Sequence, residues 1–180
     1  MSPFSLLTGA ALVIGYALLG ASWLNMKTTG ELQSRMRRYA RPLMIATLGL
    51  IGLVSLLTPL QDPVYLTRWF AWPGIIFSVA VPSIVVALAW RMDRGLRRNE
   101  DYSPFFCAIG FFVVSFVGIG ISFFPHIIPP SLTIAEAAAP DSSLSFALVG
   151  AAILIPIILA YTAYTYWVFR GKIDPEENFH

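Results

Sequence analysis

The chain has little of what soluble catalysis usually needs. Only 12% of its 180 residues are charged and 57% are hydrophobic, whereas a soluble domain carries about 25% charged residues. Its mean hydropathy of +0.70 belongs to a chain that lives in a bilayer. One cysteine, Cys107, lies inside an apolar run, which excludes a disulfide framework and any cysteine-based metal motif. There is no Gly-x-Ser-x-Gly, no glycine-rich phosphate loop and no His-Glu-x-x-His, so hydrolase, nucleotide-binding and zinc-protease readings have no footing. The net charge of +2 is split among separate clusters and implies no nucleic acid.

Acidic residues are also missing where they would mean most. The ten are Glu31, Asp62, Asp93, Glu100, Asp101, Glu136, Asp141, Asp174, Glu176 and Glu177, and none falls in the interior of an apolar run. Intramembrane ionisable groups are costly and mark ion paths, proton relays or counter-ions. Their absence argues against a transporter or pump built from this chain alone. Two histidines remain as metal or haem ligands. His126 follows Pro125 at the outer end of the fourth apolar run and His180 is the last residue given. They fall on opposite membrane faces and cannot share a site. His126 reads better as a polar residue near the headgroups than as a shallow ligand. Met26, Met36, Met44 and Met92 sit near span ends, where methionine usually fills gaps. We therefore assign no catalytic, cofactor-binding or metal residue to this chain.

What is present is a pattern of spans. Five uncharged stretches, about 4–24, 43–60, 69–90, 105–124 and 144–169, each match the roughly 20 helical residues that cross a bilayer. Eleven of the twelve basic residues fall in three groups: Lys27, Arg35, Arg37, Arg38 and Arg41; Arg91, Arg94, Arg97 and Arg98; Arg170 and Lys172. Only Arg68 remains for the other face. By the positive-inside rule the N-terminus is out and the C-terminus in. Trp23, Trp69, Trp72, Trp90 and Trp167 lie near span ends, at headgroup depth. The expected fold is an all-α integral membrane domain over residues 1–180.

Two connections are informative. Thr28 and Glu31 have capping-box spacing, and Leu32, Met36 and Tyr39 recur helically with arginines on the remaining surface. This predicts a short interfacial amphipathic helix on the inner side, ahead of a span that starts after Arg41-Pro42. The second, 125–143, holds Pro125, Pro129, Pro130 and Pro140, with Thr133 and Glu136 again at capping spacing. It predicts a structured, proline-rich outer cap containing one helical turn. Small residues on the spans, among them Gly15, Gly20, Ala21, Gly49, Gly52, Gly118, Gly120 and Gly150, suit close helix packing.

Three strings point further: Gly20-Ala-Ser-Trp-Leu-Asn-Met-Lys-Thr-Thr-Gly-Glu-Leu-Gln33, Phe124-Pro-His-Ile-Ile-Pro-Pro-Ser-Leu-Thr-Ile134, and Pro156-Ile-Ile-Leu-Ala-Tyr-Thr-Ala-Tyr-Thr-Tyr-Trp-Val-Phe-Arg-Gly-Lys172. Together they closely resemble subunit II of the cytochrome bd-type quinol oxidases, with an ending most similar to the cyanide-insensitive branch. The resemblance implies a respiratory complex of the bacterial inner membrane that oxidises quinol and reduces oxygen to water. It places haem b and haem d in a partner, subunit I, and makes subunit II a haem-free partner supporting assembly. That subunit normally has eight spans, of which this chain resembles the last five, so the family's intramembrane acidic residues carry over to no position here. His126 stands where the family pattern leads us to expect an aromatic residue. A small transporter or channel, or a membrane scaffold without redox function, is the alternative.

Overall fold

A computed structural model describes residues 3–61, 65, 69–72, 74–128 and 131–173. Asp62, Arg68, Pro129, Pro130, Asp174, Glu176, Glu177 and His180 lie outside the described residues. The described chain is mainly helical, with one small ladder and short connecting loops. Its elements are α1 (Pro3–Lys27), α2 (Gly30–Gln61), α3 (Gly74–Arg97), α4 (Ser103–Phe123), β1 (His126–Ile128), β2 (Leu132–Thr133), α5 (Ile134–Ala137) and α6 (Asp141–Val168). Five helices are long and apolar enough to cross a membrane: Pro3–Lys27, Gly30–Leu60, Gly74–Arg97, Ser103–Phe123 and Asp141–Val168.

The count of spans matches the sequence reading, but two boundaries move. The helix expected from about 43 begins at Gly30 and runs through Pro42 without a break. Met36, Ala40, Leu43, Met44 and Leu48 explain why. They form one stripe at helical spacing packed on the core, and that stripe crosses the proline, whose own position is exposed. Packing along a continuous face outweighs the one backbone bond that proline removes. The chain reverses just upstream at Gly30, whose φ of +64° is a left-handed conformation open to glycine. The third helix, expected at 69–90, runs instead from Gly74 to Arg97, because Met92 and Leu96 continue the buried face past the first arginine.

Two compact units arise, Met1–Ser122 with Lys172–His180, and Phe123–Gly171. In the first, Leu18 and Ala21 from α1, Ala40 and Met44 from α2, Met92 and Leu96 from α3, and Cys107, Ala108 and Phe111 from α4 make the buried cluster. Small residues set the spacing. A Cβ at Gly15 would stand 3.0 Å from the Phe112 ring and one at Gly110 2.8 Å from Leu88. The packing role expected for Gly15 is therefore real, while Gly20, Gly49, Gly52, Gly120 and Gly150 have nothing within 4 Å. Tyr16 also meets Phe112, ring centroids 5.4 Å apart.

In the second unit, His126 pairs with Thr133 and Ile128 with Leu132 in an antiparallel ladder, and the Ile134 N–H donates to the Pro125 carbonyl at 2.9 Å. The ladder was not anticipated from the sequence. The capping turn was, and it forms in full. The Thr133 hydroxyl accepts from the Glu136 N–H, while the Glu136 carboxylate accepts from the Thr133 N–H at 2.9 Å. The four-residue α5 follows. α6 contains no buried residue.

Candidate functional site

Charges gather where α1 ends, α2 begins and α3 turns into α4. Asn25, on the last turn of α1, is fully buried. Its amide donates to the carbonyls of Glu100 at 3.3 Å and Asp101 at 3.1 Å, and its side-chain oxygen accepts from Arg37 Nε at 3.1 Å. A buried amide with both ends engaged is a fixed strut, since leaving either end open would be costly. Gln33 adds to it by donating to the Asn25 carbonyl and to Asp101 Oδ1, each at 2.8 Å.

Asp101 is the centre of this node. It accepts from Gln33, from Arg37 at 3.3 Å and from Lys172 at 2.6 Å. Lys172 arrives on a short segment whose Ile173 N–H donates to the Lys27 carbonyl at 2.8 Å, beside a parallel bridge between Thr28 and Ile173. The loop that presents Asp101 is itself built by the end of α3. There the Asn99 N–H donates to the Leu96 carbonyl and the Glu100 N–H to the Gly95 carbonyl, with Asn99 left-handed at φ 58°. This is a Schellman ending, and asparagine tolerates that conformation. Asn99 also accepts from Arg37 at 2.9 Å. Around the node, Arg41 pairs with Asp93 at 3.0 Å, Arg97 with the same Asp93 at 2.6 Å, and Arg91 with Glu100 at 2.7 Å. The Arg91 hydrogen bond holds the Glu100 carboxyl below the usual glutamate range.

The capping box expected at Thr28 and Glu31 does not form. The Thr28 hydroxyl donates to the Leu24 carbonyl at 2.7 Å, and the Glu31 carboxylate accepts from Arg35. Two local contacts, one to the residue four back and one to the residue four ahead, have taken both residues. The basic groups read as an orientation signal thus also hold the helix ends together. Sequence reasoning missed Asn25, Gln33, Asn99 and Asp101 as one site; the only signal was that Asn25 and Gln33 fall in a string already singled out.

His126 lies on β1, half-buried. Met44 and Met92 are core residues, and Met26 is buried. Phe111 is 1% exposed and belongs to the core, whereas Phe116 is 78% exposed. Among the described residues no group of three or more His, Cys, Asp or Glu side chains is placed to hold a metal ion. Beside the node an open hollow of about 560 Å³ is lined by arginine, amide, carboxylate, phenol, hydroxyl and phenyl groups. The hollow is open and not an enclosing pocket, and of its lining groups only the Tyr102 phenol is of a kind that ligates haem iron.

The family model for cytochrome bd terminal oxidase subunit II matches residues 1–169. The chain belongs to that family. It is 29% identical to cytochrome bd-I ubiquinol oxidase subunit 2 of Escherichia coli K12, covering 100% of this chain and 56% of that protein. It is 25% identical to cytochrome bd ubiquinol oxidase subunit 2 of Bacillus subtilis, covering 98% and 52%. To the probable cytochrome oxidase subunit 2 of Haemophilus influenzae it is 23% identical, covering 97% and 53%. The chain spans about half the length of these curated relatives. The resemblance drawn from the three strings is met at the level of subunit II, and the transporter, channel or scaffold alternative is not favoured.

Proposed function

We propose that the chain is the five-span part of subunit II in a bacterial respiratory complex that oxidises quinol and reduces oxygen to water. The match of residues 1–169 to the subunit II family carries this reading. Haem b and haem d belong to subunit I, the partner in which quinol is oxidised, and no residue of this chain ligates them. Its part is to hold subunit I in an assembled state. The node around Asn25 and Asp101 suits that task, because it fixes the ends of α1, α2, α3 and α4 relative to one another and so presents a rigid helical face.

The complex sits in the inner membrane with this chain's N-terminus out, its C-terminus in and the 125–143 segment as a proline-rich cap outside. Three basic groups at helix ends support that orientation. The amphipathic stretch 30–41 lies in the headgroup layer as the leading part of α2. At 32 residues α2 is about 48 Å long, well beyond a hydrocarbon core of about 30 Å.

Affinity purification through a tag on this chain tests the assignment. We expect a larger membrane subunit to co-purify and to give reduced-minus-oxidised haem b and d bands. A solubilised, folded chain that brings down neither partner nor haem overturns it.

A further inference from the structure

The hollow between the end of α3 and the start of α4 has a chemistry that the node does not use up. Its two carboxylates are already satisfied: Glu100 takes Arg91 at 2.7 Å, and Asp101 takes Gln33, Arg37 and Lys172. Arg98, on the same lining, is exposed; its backbone N–H donates to the Arg94 carbonyl and its charge acts on the nearby Glu100, but its guanidinium makes no hydrogen bond or ion pair among the described residues. With Arg37 and Lys172 counted on Asp101, the two carboxylates face four cations, so the local balance is positive. Next to it the surface turns apolar, with Phe106 62% and Tyr102 59% exposed. On α3, one turn before Arg98, Arg94 stacks over the exposed Trp90 at 5.3 Å, an aromatic and cation pair suited to headgroup depth.

We propose that this hollow seats the headgroup of an anionic phospholipid, with Arg98 as the principal phosphate partner, Arg91 beside it and an acyl chain running along Phe106. A guanidinium fork matches phosphate oxygens in pairs, and a cation at the membrane surface gains from anionic lipid. Free phosphate could use only the arginines. The exposed phenyl ring adjoining them gives a lipid tail a contact that an inorganic ion cannot make. The inference rests on the membrane placement of the chain and not on its role in an oxidase.

Native mass spectrometry of the full chain in its detergent-extracted, delipidated assembly tests it. The probes are phosphatidylglycerol, phosphatidylcholine with the same acyl chains, and inorganic phosphate. Wild type should retain phosphatidylglycerol over phosphatidylcholine. Arg98→Gln should lower that retention about fivefold, Arg98→Lys less, and Phe106→Ser should lower it without touching any charge. Arg35→Gln, at the start of α2, should leave it unchanged. Equal retention of both lipids, equal losses in Arg35→Gln and Arg98→Gln, or displacement of the lipid by inorganic phosphate at matched concentration would each overturn the site. So would cross-linking of a polypeptide through position 98. Haem content of the same samples reports separately on the oxidase reading.

Discussion

Two polar clusters fasten this molecule, and they are held by opposite kinds of contact. At the foot of α5, Thr133 and Glu136 complete a capping box over three residues of sequence. At the node, Asn25, Gln33 and Arg37 reach partners 62 to 76 residues away around Asn99, Glu100 and Asp101. The first is a local rule obeyed in place, and the second exists only once four helices have packed. The same Thr-x-x-Glu pattern occurs at both, and at Thr28 it fails because the α1 carbonyl and Arg35 take its members. A capping motif is thus a competition with other local partners, here a carbonyl four residues back and an arginine four residues ahead.

The widest gap between the clusters should appear on removing Asn25. Asn25→Leu leaves the Glu100 and Asp101 carbonyls and the Arg37 Nε–H without their partner in a buried setting. Each such orphan costs about 1–3 kcal/mol, so the variant should show a clear fall in thermal midpoint in detergent, whereas Thr133→Ala should barely move it. Equal shifts would erase the distinction. Next in size is the charge at the node's centre. Asp101→Asn should destabilise by about 1–2 kcal/mol, less than a fully buried pair would, because Asp101 and Lys172 keep 29% and 33% exposure. A double-mutant cycle with Lys172→Ala should return a coupling of about 0.2–1 kcal/mol. Zero coupling would mean the 172–173 segment is held by backbone pairing alone.

The smallest effect is a pH dependence at the local cluster. The Thr133 N–H and hydroxyl hold the Glu136 carboxyl below its ordinary range. Its folded pKa is depressed, so the capping contribution is complete above the unfolded glutamate pKa and is lost as pH falls through the lower folded value. The protection factor of the amides over 134–137, taken relative to their intrinsic exchange rate at each pH, should hold at neutral pH and fall only in the acid range. In Glu136→Gln the protection should be lower at neutral pH and show no further fall in the acid range.

The same contrast explains what could be read from the sequence. Five apolar runs each long enough to span, and the Thr133 turn, are local facts and were legible. The continuity of α2 through Pro42 was not, because the stripe from Met36 to Leu48 that carries the helix past the proline acquires its meaning only against Leu18, Met92 and Phe111. The β1–β2 ladder was hidden by its size, three residues and two. The node was invisible for a different reason. Nothing near Asn25 in sequence announces that Asp101 will come to it.

The most direct test of the proposed role is quinol-dependent oxygen uptake by the purified assembly, prepared with and without this chain. With the chain present, uptake should follow added quinol and the haem-bearing subunit should be recovered; without it, both should be lost. An assembly that forms and turns over at an unchanged rate in the absence of this chain would contradict the account.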